Sequence, residues 1–275
     1  MERFLNMDRR WIFLMVALLI LIVLLRPLGI PIRPGPDVLK FYNMLESVPP
    51  GSTILLSFSY GPSAAPELHP MAKATIEHAF RRDLKIITMA IWPDGAPFAE
   101  RFVQEIGDRM GKKYGEDYVI LGFKSMPAAT LLQMGQDISQ AFPTDAKQRP
   151  LKELPLMQKV RNFQDIALVV DFAAGETPEI WMVYAGSVYG QEIAAGVTAV
   201  MAANFYPFLQ SGQMRAMLAG LKDAAEYFGM VTGSVGDLQG QMDAQSLVHG
   251  LIVLLVILGN IFYFLQQRRS RHAES

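Results

Sequence analysis

The sequence contains no cysteine. That excludes a disulfide framework, a thiolate metal site, an iron–sulfur cluster and a cysteine nucleophile in any compartment. Charge is scarce as well: 19% of the 275 residues are Asp, Glu, Lys or Arg, against 51% hydrophobic, and the mean hydropathy is +0.21. Such a chain is too apolar for an ordinary soluble domain, so part of it is expected in lipid. Neither sign of charge dominates, with 25 Lys plus Arg and 26 Asp plus Glu, which leaves no overall basic surface for nucleic acid. Catalytic signatures are missing too. There is no G-x-S-x-G elbow, no H-E-x-x-H pair, no P-loop ending and no complete dinucleotide fingerprint.

What is present begins with two apolar ends. Residues 11–25 are an unbroken run of 15 apolar residues, extended past Arg26 to residue 32, and the following RPLGIPIRPGP offers no A-x-A-like cleavage site. The run is therefore expected to be an uncleaved signal anchor over residues 11–32, after a tail of residues 1–10. Residues 247–265 are interrupted only by His249 and Asn260 and precede QQRRSR, which predicts a second span followed by a basic tail over residues 266–275. Arg3, Arg9, Arg10, Arg268, Arg269 and Arg271 on the tails outnumber the basic residues flanking the spans on the other side. Both termini are accordingly expected in the cytoplasm of a bacterial inner-membrane protein, with the middle of the chain outside. That middle, residues 33–246, has 18 basic and 23 acidic residues and is long enough for one core without crosslinks.

Within it, residues 53–60, 84–91, 117–123, 165–172 and 179–184 read as strands, compact β-rich runs bounded by turn residues. Residues 67–82 and 96–114 between them carry apolar side chains at helical spacing. This alternation predicts a doubly wound, mostly parallel, Rossmann-like α/β sheet of about five strands over residues 33–228, tethered by a flexible segment, 229–246. Residues 193–209 carry no charge and leave two readings open, a buried helix, which is preferred, or a third span.

Open parallel sheets bind ligands beyond the carboxyl ends of their strands. That rule nominates Ser59, Tyr60, Ser63, Trp92, Asp94, Lys124, Ser125, Asp171, Glu176, Ser187 and Tyr189, although turn chemistry alone places many such residues at strand ends. Ser187, in Gly-Ser-Val-Tyr-Gly, reads best as a helix N-cap. A serine hydrolase would need Ser59 or Ser63 to meet His69 and an acid; Asp171 and Glu176 are the acids available for proton transfer. Glu67, His69 and Asp94 make too poor a ligand set for a metal to be expected, and no cofactor is expected. In the second span Gly250, Gly259 and Asn260 are the residues suited to close helix contact.

At YGPSAAPELHPMA, FPTDAKQRPLKELPLM, VVDFAAGETPE and YPFLQSGQMRAMLAGLKDAAEY the chain resembles an uncharacterised group of bacterial membrane-anchored proteins with no assigned activity. It is more loosely similar, in architecture only, to extracytoplasmic α/β auxiliary components of ABC exporters. The expected function is a non-enzymatic binding or scaffold module, an accessory subunit of a transport or envelope complex. Its expected partners are the bilayer and an integral membrane protein or a second copy, with no nucleic acid. The alternative is a membrane-tethered hydrolase working at the strand-end rim.

Overall fold

The computed structural model describes residues 8–29, 33–236 and 238–273. The chain divides into two compact units, residues 33–234 and the two terminal segments. In the terminal unit, helix α1 (Arg9–Leu25) is capped by Asp8, whose side chain accepts from the Arg10 N–H.

In the middle unit the order is α2 (Pro36–Ser47), β1 (Thr53–Ser59), α3 (Ala65–Arg81), β2 (Lys85–Ala90), α4 (Gly95–Arg109) and β3 (Tyr118–Phe123). Then follow α5 (Pro127–Gln136), α6 (Ile138–Ala141), β4 (Ile166–Ala173), α7 (Thr177–Trp181) running into a π-helical turn (Met182–Ser187), β5 (Ile193–Val197), α8 (Ala199–Gln210), β6 (Met217–Ala219) and α9 (Gly220–Thr232). All six strands are parallel in the order β3-β2-β1-β4-β5-β6. Strands β1 and β4, at the centre, are almost wholly buried on both faces, which explains why they read as continuous apolar runs. Phe58, Phe102 and Phe172 fill one layer; Leu55, Val169 and Trp181 fill the other.

Four of the five expected strands are found. The fifth is not: residues 179–184 lie in α7 and its π-helical turn, with Pro178 starting the helix and Trp181, Met182 and Ala185 turned inward. A parallel neighbour for β4 needs a crossover first, and this segment supplies it. The charge-free stretch 193–209 is neither one buried helix nor a third span. Its first part is β5, and its second is α8, of which only Ala202 and Phe205 are buried. Small residues in β5 answer a packing need, since a Cβ on Gly196 would come within 2.8 Å of the Phe172 ring and 3.0 Å of the Met71 sulfur. Helix α2 was not anticipated; Pro36 opens it, and Val38, Phe41 and Leu45 recur at helical spacing on its buried face.

His78 ties the unit's first and last helices to α3. Its Nδ1 lies 2.9 Å from the Tyr227 hydroxyl on α9 and its Nε2 2.9 Å from Glu46 Oε1 on α2. Gly35 donates its N–H to Glu226 at 2.7 Å, closing the same α2–α9 seam.

Of the segment 229–246 expected as a flexible tether, α9 takes residues to Thr232, and α10 (Leu238–Ala273) begins six residues later. Over Leu238–Leu265 this helix is long and apolar enough to cross a membrane, whereas α1 is shorter. Within the terminal unit α1 packs along α10. Gly240 abuts Leu24 and Pro27, and buried Asp243 accepts from the Gly29 N–H at 2.9 Å and from Gln239 at 2.9 Å.

Candidate functional site

The sheet reverses its winding between β1 and β4, and the crevice beyond their carboxyl ends is where this fold places ligands. Register pairs Ser57 with Asp171 and Ser59 with Ala173. Asp171 is fully buried, and its two oxygens accept from Ser59 at 2.7 Å and Thr177 at 2.6 Å. Behind them Ser57 lies 3.3 Å from Ser59 and accepts from the Trp181 indole at 3.2 Å. Burial pushes the Asp171 carboxyl up to about 6, opposed by the hydrogen bonds from Thr177, Ser59 and Ser57. This is a closed polar network under the crevice floor, not a group offered to solvent.

Side chains from neighbouring loops close the crevice. The β2–α4 loop lays Trp92 against Gly175, where an added Cβ would meet the indole at 3.1 Å. It also sets Asp94 beside Gly61, whose Cβ would lie 3.1 Å from the carboxylate. Helix α4 approaches so closely that a Cβ at Gly95 would collide with the Phe58 carbonyl. Along the β1–α3 side, Tyr60 and His69 form an aromatic cluster with Phe98 and Phe102. Tyr60 Oη and His69 Nε2 are buried there without a hydrogen-bond partner among the described residues. Burial, reinforced by the charges of Arg101 and Lys73, pushes the His69 imidazole down to about 4; burial pushes the Tyr60 phenol up.

Of the residues nominated from sequence, Ser59 and Asp171 meet directly, while Tyr60, Trp92, Asp94 and Glu176 surround the crevice without joining them. Ser63 sits exposed in a 3-10 turn (Pro62–Ala64). Ser125 is exposed, and Lys124 lies 5.7 Å from the Phe142 ring centroid. Ser187 and Tyr189 belong elsewhere. Because residues 179–184 are helical, both precede β5 and fall at the amino ends of the strands. Ser187 donates to the Met182 carbonyl at 3.1 Å instead of capping a helix, and Tyr189 donates to Leu132 at 2.8 Å. Thr177, Ser57 and Trp181 were missed, although Ser57 and Ser59, two apart in an apolar strand, share one face and signal a polar partner behind it.

In α10, Asn260 donates to its own helix at Val256, 2.8 Å away, and among the described residues nothing lies within 4 Å of a Cβ on Gly250 or Gly259. Close approach to α1 is made at Gly240.

The strand order is that of dinucleotide-binding sheets, so the β1–α3 turn is the place for a pyrophosphate. Its residues do not fit one. The turn, Gly61-Pro62-Ser63-Ala64, has a single glycine, and the Asp94 carboxylate sits against it. The first turn of α3 carries Glu67, whose carboxylate accepts from the Ala199 N–H at 2.8 Å. Two carboxylates thus stand where an anionic group needs donors. A hydrolytic triad does not assemble either, since no histidine joins Ser59 and Asp171 among the described residues. No three described His, Asp or Glu side chains gather as a metal site. A cavity of about 650 Å³ at the opposite end of the sheet is lined by Lys85 and Asp117, already paired at 2.5 Å, with Lys159 and Asp165.

No family model and no curated protein matches the sequence. Among solved structures the chain is similar to a quinone oxidoreductase of Pseudomonas syringae pv. Tomato DC3000, with 14% identity, a TM-score of 0.25 and coverage of 79% of this chain. The chain spans about half, 52%, of that structure's length. A likeness of that degree does not transfer an activity.

Proposed function

We propose that the chain is a membrane-anchored, extracytoplasmic binding module of the α/β class, non-enzymatic, serving as an accessory subunit of a transport or envelope complex. The observation that carries this reading is the closure of the switch-point crevice by the protein's own side chains. Asp171, under its floor, is buried and spends both oxygens on Ser59 and Thr177, so its carboxylate is not presented to a substrate.

Anchoring is supported by α10, and the outside placement by the arginines of the two tails. In this reading α1 is a second, shorter span, held to α10 through Asp243 and Gly29. The resemblance to uncharacterised bacterial membrane-anchored proteins points the same way.

Affinity capture of the tagged full-length protein from its native membrane in mild detergent, with quantitative mass spectrometry, tests the proposal. A stoichiometric polypeptide partner is expected. A protein that emerges alone, at any detergent strength, overturns the accessory-subunit reading.

A further inference from the structure

The closed crevice is rimmed by large apolar side chains that stay partly in solvent. Phe123, the last residue of β3, and Met126, beyond it, are 42% and 73% exposed, and Trp92, beyond β2, is 37% exposed. Pairing of Ala90 with Phe123 sets the first two loops side by side, and the contact of Trp92 with Gly175 brings the β4–α7 loop to the indole. The strip from β3 to β4 covers three strand spacings, about 14 Å. Asp94 and Glu176 flank Trp92 on it, with Glu179 one helical turn further, and all three are exposed and outside any ion pair among the described residues.

Met126 is held there against its backbone preference. Its φ of 55° is left-handed, disfavoured for any side chain, and Pro127 after it disfavours the helical region further. Thr130 fixes the loop, donating its hydroxyl to the Ser125 carbonyl at 2.8 Å and its N–H to the Met126 carbonyl at 3.0 Å. An adaptable, polarisable side chain is thereby turned into solvent three residues after Phe123.

The geometry points to this strip, Trp92, Phe123 and Met126 bordered by Asp94, Glu176 and Glu179, as the docking surface for a polypeptide segment that sets Lys or Arg among apolar side chains. The inference rests on the binding-module reading above. Charge decides the occupant: three carboxylates outnumber the one lysine of the strip, Lys124, which lies 5.7 Å from the Phe142 ring centroid, so the surface is net acidic. It repels an anionic lipid surface and attracts a cationic segment, whose guanidinium or ammonium groups can also stack on the exposed indole.

The test places a photo-crosslinking phenylalanine analogue at Phe123 in the full chain in its native membrane, with Glu105, exposed on α4, as the control position. A crosslink at Phe123 alone, to a polypeptide whose joined peptide carries Lys or Arg beside apolar residues, is expected. A synthetic peptide of that sequence should bind the detergent-solubilised protein, and the combined Asp94→Asn, Glu176→Gln and Glu179→Gln variant should weaken binding about tenfold or more. Met126→Gly separates docking from folding. Glycine adopts the left-handed backbone freely, so the variant should unfold no lower in temperature than the parent and yet bind the peptide more weakly. Crosslinking to lipid alone or to a second copy of the chain, or unchanged binding by both variants, overturns the assignment. If a partner co-purifies undiminished with Met126→Gly and Trp92→Ala combined, the strip is refuted and the module reading survives; if no partner accompanies the parent, both fall.

Discussion

Ser59 and Asp171, 112 residues apart in sequence, meet across the β1–β4 boundary at 2.7 Å, and the buried carboxylate faces no cation among the described residues. Burial raises the Asp171 pKa from an ordinary 3.8 to about 6, so the folded state holds the proton more tightly than the unfolded chain. For an acid shifted upward the sign is fixed: its contribution to stability is greatest below about 3.8 and declines as pH rises to about 6, staying low above that. Asp171→Asn removes the slope. Thermal unfolding of the full chain in detergent should show the variant equal to or more stable than the parent at pH 8, by on the order of 1–3 kcal/mol, with the gap closing at pH 4. A variant less stable at pH 8 would mean that the ionised carboxylate is favoured where it lies.

Gly95 has a different kind of constraint. A Cβ there would collide with the Phe58 carbonyl, a backbone atom of the central strand that cannot move aside without parting β1 from its neighbours. Gly95→Ala should therefore cost about 3 kcal/mol or abolish soluble expression. Gly250→Ala and Gly259→Ala, with nothing among the described residues within 4 Å of the added carbon, should leave stability unchanged. Melting temperatures of the three variants decide the matter.

The same packing logic marks the limit of what sequence conveys. Strands β1 to β4 are legible because turn residues bracket apolar, β-rich runs. Strand β5, Ile-Ala-Ala-Gly-Val, is not, because its residues answer the closeness of Phe172 and Met71, not strand propensity. Glu-Ile-Trp-Met-Val-Tyr has a strand's composition and a helix's position, and only the crossover to β5 settles which prevails. Ser59 and Asp171 could be nominated as strand-end residues. Their union with Thr177 and Trp181 depends on register and on how α7 docks, neither of which is written locally.

His69 titrates in the opposite sense to Asp171. Held at about 4 by burial and by Arg101 and Lys73, its imidazole is neutral in the folded state through the range where an ordinary histidine charges near 6.5. For a base shifted downward, the stability it supports is complete above about 6.5 and is lost as pH falls toward 4. His69→Phe should flatten the acid side of the stability profile between those values. An imidazole NMR resonance for His69 that titrates near 6.5 would refute the burial on which this rests.

Ser63, exposed in the turn after β1, tests the proposed placement of the α/β unit outside the membrane. The chain has no cysteine, so Ser63→Cys introduces a single thiol against no background. Treatment of intact spheroplasts with a membrane-impermeant maleimide should label it as fully as treatment after lysis. Labelling only after lysis would place the unit in the cytoplasm and overturn the outside assignment.

A sheet wound in the dinucleotide-binding order, yet closed at its switch point, makes a last prediction about cofactors. In such sheets the first turn offers backbone N–H groups and the positive end of a helix to a pyrophosphate. Here Asp94 stands against Gly61, and Glu67, on the first turn of the helix, accepts from the Ala199 N–H, so the two charged phosphates of a pyrophosphate would have to be accommodated beside two carboxylates. Repulsion at that distance outweighs what a few backbone donors supply, and Trp92 on Gly175 obstructs the adjoining space. Titration of the purified full chain with NADH or NADPH up to about 1 mM should give no saturable change in nicotinamide fluorescence. Asp94→Ala should not create one, because Glu67 remains. Saturation by the parent at micromolar cofactor would mean that the β2–α4 loop opens and that the closure from which a non-enzymatic role is argued is only one of its positions.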